Sequence, residues 1–133
     1  MPRQTGGCLC GAVRYRVAGP LRDVVACHCG QCRRTSGHHA AATAARREDL
    51  QIEGLVAWYE SSPGVRRGFC PVCGSNLFWD PADDPRVSIF AGTLDLPTGL
   101  RLRGHIFAAD KSDYYLIADG LPRAAGDDPE LCA

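Results

Sequence analysis

"VRRGFCPVCGSNLFWD", residues 65–80, sets two cysteines on a tight turn between two strand-like runs. VRRGFC (65–70) leads into Cys70, and NLFWD (76–80) leaves the turn as its return strand. A Cys-x-x-Cys turn brings two thiolates to one metal ion while backbone N–H groups point at the sulfurs. Pro71 presets φ just after Cys70, and Gly74 tolerates the left-handed conformation that closes the turn. Knuckles of this form usually serve structural Zn²⁺. A redox reading of the motif needs a βαβ setting, whereas strand-like segments flank it here. The stretch therefore predicts a β protein stapled by metal.

The rest of the chain carries the same texture. It has 133 residues, 45% of them hydrophobic, with fifteen Gly and nine Pro that favour short strands and turns over long helices. The size suits one domain over 1–133, with a core of about 5–123 and a loose tail at 124–133. AVRYRV (12–17) alternates as a half-buried strand does. DVVAC (23–27), LVAWYES (55–61), RVSIFAG (86–92) and LRGHIFA (102–108) read as further strands. HHAAATAA (38–45) is ambiguous, its alanines favouring helix and its position a strand.

Fifteen basic residues balance fifteen acidic ones. That balance supplies no drive toward nucleic acid or an anionic membrane. No apolar run approaches the roughly 20 residues of a membrane span, and MPRQTGGCLCG (1–11) lacks the apolar core of a signal peptide. The expectation is a cytoplasmic, reduced protein whose cysteines bind metal rather than pair as disulfides.

Seven of the eight cysteines fall in three tight groups. Cys8 and Cys10 complete a Cys₄ set with Cys70 and Cys73, provided the backbone bends, which Gly6, Gly7 and Gly11 allow. Cys27, Cys29 and Cys32 in CHCGQCRRTSG (27–37) are then one ligand short of a tetrahedral shell. Cys132, His28, His38, His39 and His105 are the protein candidates for the fourth place. The remaining option is an open position for water or a thiol, the arrangement of catalytic zinc. Arg33 and Arg34 follow the trio directly, and Arg46–Arg47 and Arg66–Arg67 form two further pairs. Arginine forks suit carboxylates.

GGCLCGAVRYRV, CHCGQCRRTSG, FCPVCGSNLFW, AGTLD and HIFAADKSDYYLIADGLPR occur in the order seen in the glutathione-dependent formaldehyde-activating enzyme family, which includes the centromere protein V relatives. The chain resembles that family over about residues 5–123, departing at Tyr114 or Tyr115, where many relatives carry Trp. The resemblance implies an Mss4-like β-tent of short antiparallel strands with little helix. It implies a structural zinc ion on Cys8, Cys10, Cys70 and Cys73 and a catalytic one on Cys27, Cys29 and Cys32. It further implies a carbon–sulfur lyase that makes or cleaves a thiol–aldehyde adduct such as S-(hydroxymethyl)glutathione, with glutathione as co-substrate. Arg33 and Arg34 are the expected partners of that acidic thiol. The alternative is a non-enzymatic zinc-binding module like the centromere relatives, and a third reading makes both cysteine groups structural. A nucleic-acid binder would carry a basic patch or tail, and the charge balance gives none.

Overall fold

Strands break off after four to seven residues because glycine, proline and the cysteine turns interrupt every apolar run. The computed structural model describes residues 4–133. In chain order the elements are β1 (Gln4–Gly7), β2 (Arg14–Val17), β3 (Val24–Cys27), α1 (Gly30–Ser36), β4 (Ala40–Arg46), β5 (Leu50–Glu53), β6 (Ala57–Ser62), β7 (Val65–Phe69), β8 (Asn76–Pro81), β9 (Arg86–Phe90) and β10 (Leu102–Ile106). The ambiguous alanine run is strand β4. The short strands β1 and β5 and the helix α1 go beyond the sequence reading.

A three-stranded sheet of order β1-β2-β5 packs over a seven-stranded sheet of order β10-β3-β4-β9-β8-β7-β6. Pairing is antiparallel throughout, except that β10 joins β3 in parallel. Strand alternation assigns the two faces of the large sheet. On β9, Val87 and Ile89 enter the core with Ala45 of β4, Leu77 and Phe78 of β8, and Val13, Tyr15 and Val17 from the small sheet. Tyr15 meets Phe78 edge-on at 5.5 Å and shares a 2.7 Å hydrogen bond with Thr93. Opposite Tyr15 in the register stands Gly6, where a Cβ would lie 2.3 Å from the tyrosine oxygen. Only glycine fits that close approach.

The tail, read as loose, is held along β10. Phe107 N–H donates to Gly126 O (2.9 Å), and Ala108 N–H to Ala124 O (3.0 Å). Arg22 and Arg86 both donate to the Cys132 carbonyl, at 3.1 and 2.8 Å. Backbone pairing that involves no apolar periodicity leaves no hydropathy signal, so the sequence shows nothing of it.

Asp80 on β8 is 6% exposed and clamps two strands. Arg47 donates to Oδ1 (2.7 Å) and Arg66 to Oδ2 (2.9 Å). Burial alone would raise this carboxyl's pKa, but the two guanidiniums outweigh it and hold the group below its ordinary value. A depressed folded pKa contributes stability above the unfolded value, lost only as pH falls through the folded one. Asp80→Asn is therefore expected to cost about 2 kcal/mol, discounted for the half-exposed arginines. That cost should stay constant from pH 6 to 9 in chemical denaturation. A cost that varied across this window would remove the ion pairs as its source.

Candidate metal centres and the adjoining cavity

The first cysteine group joins the two sheets. Cys8 and Cys10 lie on the turn after β1, and Cys70 and Cys73 on the knuckle between β7 and β8. Their four sulfurs lie within 4.8 Å of one another. Cys10 Sγ is 3.7 Å from both Cys8 Sγ and Cys70 Sγ. A disulfide would need about 2.05 Å, whereas metal–sulfur bonds near 2.3 Å give a tetrahedron with edges of about 3.8 Å. Backbone N–H groups face the sulfurs: Val13 to Cys8 (3.2 Å), and Val72 and Cys73 to Cys70 (3.4 Å each). The bends that sequence demanded are present, with φ of 83° at Gly11 and 78° at Gly74. Hydrogen bonds from Ser75, led by its hydroxyl at 3.2 Å, hold the Cys73 thiol down to about 5. This is a donor set that fits a thiophilic divalent ion.

The second group sits at the end of β3. Cys27 closes that strand, and Cys29 caps α1, its sulfur accepting from Cys32 N–H at 3.3 Å. Gly37 ends the helix at φ 84°. The three sulfurs also fall within 4.8 Å of one another, and among the described residues no fourth His, Cys, Asp or Glu joins them. Hydrogen bonding from Cys27, supported by Arg67 and Cys29, overcomes burial and brings Cys32 down to about 6, while Cys27 is pushed up. This trio too fits a thiophilic metal, with three protein ligands.

His28, His38 and His105 are hydrogen-bonded outside the sulfur cluster, while the buried Nδ1 of His39 has no hydrogen-bond partner among the described residues. His105 Nε2–H donates to the Asp119 carboxylate at 2.7 Å. Its Nδ1 then accepts from His28 Nε2–H at 2.9 Å, and His28 Nδ1 accepts from the Tyr115 hydroxyl. All four ring nitrogens of this pair are consumed, at 1% and 5% exposure. Burial lowers the His28 pKa to about 4, so the ring is neutral, as the chain of donors requires. His38 pairs with the Tyr114 hydroxyl at 2.5 Å and stacks on its ring. His39 lies half-buried against His28 and His38, outside the sulfur cluster. Tyr115 and Tyr114 are thus the partners of His28 and His38.

The trio opens onto a cavity of about 550 Å³, well within the range of small-molecule sites. Ala40, Ala42 and Ala44 on alternate positions of β4 form its floor, and their small side chains leave the space empty. Trp79, Phe90, Phe107 and Ile106 contribute apolar wall. Phe107 adopts a left-handed φ of 53°, which a bulky residue rarely takes. Register sets the ends of the cavity. Cys27 pairs with Ala40, and Arg46 with Arg86, so the trio lies at one end and Arg86 with Arg22, Asp84 and Cys132 toward the other.

Of the arginine pairs noted in the sequence, one member faces this space. Arg67 lines it at 7% exposure, while Arg66, next along β7, lies over the Trp58 ring at 3.8 Å and bonds Asp80. Arg46 pairs with Glu48 and Arg47 with Asp80. Arg33 and Arg34 ride on α1, half-buried and exposed, and are not among the residues lining the cavity. Arg22 and Arg86 do line it, with no sequence proximity to any cysteine that could have singled them out. Cys132 also lines it, outside the sulfur cluster.

Comparison with known proteins agrees with this geometry. The family described as glutathione-dependent formaldehyde-activating enzyme matches residues 3–110. A Halomonas elongata protein named for that activity is 33% identical over 126 residues, covering 84% of this chain and 79% of its own. A Schizosaccharomyces pombe protein named only as an uncharacterised lyase is 30% identical over 80 residues, covering 59% of this chain and 58% of its own. A crystal structure of a Rhodobacter sphaeroides protein superposes with a TM-score of 0.60 at 26% identity, covering 76% of this chain and 98% of its own.

The two sulfur groups should respond differently to loss of a ligand. Elemental analysis is expected to find two metal ions per chain. Cys70→Ser should lose one and melt more than about 10 °C lower, since its site closes the fold. Cys29→Ser should lose one with a much smaller drop. Equal collapse of both variants would show that the second site, too, is structural.

Proposed function

The chain belongs to the glutathione-dependent formaldehyde-activating enzyme family, and from that premise we propose that it is a zinc-dependent carbon–sulfur lyase acting on a glutathione–aldehyde adduct such as S-(hydroxymethyl)glutathione. The observation that carries the reading is the trio of Cys27, Cys29 and Cys32 at the end of an apolar cavity, with no fourth protein ligand among the described residues. In this reading Cys8, Cys10, Cys70 and Cys73 would hold a structural zinc ion, and Cys27, Cys29 and Cys32 would hold a second one at the end of the cavity.

A thiol near pKa 8.5 is mostly protonated at neutral pH, and only its thiolate is nucleophilic. A zinc ion held by Cys27, Cys29 and Cys32 would supply the Lewis acidity that keeps an incoming thiol deprotonated. The chain's own residues do the rest. Trp79, Phe90 and Phe107 keep bulk water from the reacting atoms, and the alanine floor leaves room for a tripeptide thiol and a small aldehyde. The His105–Asp119 bond fixes the tautomer of His28, and the His28 ring in turn anchors the backbone between Cys27 and Cys29. A thiol and an aldehyde are then the partners of the cavity. No helix is long and apolar enough to cross a membrane.

The test is exchange NMR with ¹³C-formaldehyde and glutathione. The zinc-loaded protein is expected to speed adduct formation and breakdown above the spontaneous rate. Ala42→Leu, which fills the floor, should keep both metals and the melting temperature yet lose roughly tenfold or more in rate. No acceleration by the wild type over a panel of small thiols and aldehydes would withdraw the lyase assignment and favour a zinc-bearing binding module.

A further inference from the structure

Arg67 lines this cavity and forms no ion pair with a carboxylate among the described residues. It is 93% buried, given its 7% exposure. Its guanidinium makes three contacts: Nη2 to Gln31 Oε1 at 3.3 Å, Nη1 to Thr35 Oγ1 at 3.5 Å, and Nη2 to Cys32 Sγ at 3.8 Å. All three are long for a charged donor, where about 2.7–2.9 Å is usual. Its Nε is buried with no hydrogen-bond partner among the described residues. A guanidinium taken out of water costs several kcal/mol unless an anion compensates it. The other cavity arginines, Arg22 and Arg86, share their end with Asp84 and donate to backbone carbonyls. Arg67 shares its end with thiols.

Resting on the lyase reading above, we infer that Arg67 is a further catalytic residue, the donor that receives the aldehyde oxygen as the C–S bond forms. The juxtaposition supports this directly. A substrate sulfur seated beside Cys32 carries the carbonyl carbon one bond away and its oxygen one bond further, within reach of a guanidinium already at Cys32. As the thiolate sulfur gives its electron pair to the carbonyl carbon, the C–S bond forms and the C=O π pair moves onto oxygen. Arg67 N–H donates to that growing alkoxide and keeps its own proton, since guanidinium stays protonated. A proton from solvent then completes the hemithioacetal. In reverse, the hydroxyl loses its proton, C=O re-forms, and the sulfur leaves with the C–S pair. Nothing is oxidised or reduced. The guanidinium is fixed before substrate arrives, so it does not have to reorganise during the reaction.

The experiment compares Arg67→Met and Arg67→Lys with the wild-type holoprotein in the same NMR exchange assay. Arg67→Met should lower kcat by about 100-fold, the scale of a lost oxyanion donor, with a small change in KM. Arg67→Lys should fall between the two. Methylguanidine added to Arg67→Ala should restore part of the rate, which a purely structural arginine would not allow. Binding gives a readout independent of turnover. In calorimetry the wild type, with and without zinc, should prefer S-(2-hydroxyethyl)glutathione over S-propylglutathione, and the preference should vanish in Arg67→Met. If the wild type is active while Arg67→Met keeps its kcat and its hydroxyl preference, Arg67 has no such role and the lyase reading stands. A wild type inert in exchange overturns both.

Discussion

Everything else in the molecule leans on the four sulfurs of Cys8, Cys10, Cys70 and Cys73. The core between the two sheets is modest, with Tyr15, Leu77, Phe78 and Ile89 its largest fully buried apolar residues. A sandwich of four- to seven-residue strands would gain much from a metal tie across these sulfurs. Such a tie would span 60 residues between Cys10 and Cys70, removing a long loop's worth of freedom from the unfolded chain. It would also fix the small sheet against one particular edge of the large one, which burial alone, being non-directional, cannot do.

That tie reaches the second cysteine group through a short mechanical path. The knuckle sets Ser75, whose hydroxyl receives Leu9 N–H at 3.0 Å and whose carbonyl receives Cys70 N–H at 3.0 Å. The next residue, Asn76, donates its side-chain amide to Thr35 O at 2.8 Å and so pins α1. Helix α1 carries Cys32, and its capping residue is Cys29. From the other side, His28 locks the intervening backbone onto β10 through His105 and Asp119. One cysteine group therefore holds the platform on which the other is assembled.

The sequence made legible what local chemistry dictates. The knuckle, its glycine, the four-plus-three division of the sulfurs and most strands follow from spacing and alternation within a few residues. What it hid depends on partners distant in the chain. Strand β5 has half-exposed and exposed residues only, so apolar periodicity is absent there. Helix α1 is capped by a thiol rather than by Ser, Thr or Asp, and no start signal announces it. Two features were readable in principle. Adjacent residues on a strand face opposite sides, so Arg66 and Arg67 could not both serve one site. And alanines at 40, 42 and 44 mark a strand face built to stay empty.

That empty face ties the fold's economy to its chemistry. Val87 and Ile89 fill the inner side of β9 with the core, while Ser88 and its neighbours on β4 leave the outer side thinly covered. A protein needing only stability would place branched residues at 40, 42 and 44 and bury them beneath Trp79 and Phe90. Keeping alanine there forgoes roughly 2 kcal/mol per position of apolar burial. The same region holds a buried arginine with long contacts and an aromatic residue at positive φ. Three local costs gathered along one cavity, beside a trio of thiols with no fourth protein ligand among the described residues, support the proposal of a site shaped by a reacting molecule. Were the trio only a second staple, nothing in the physics of stability would require any of them.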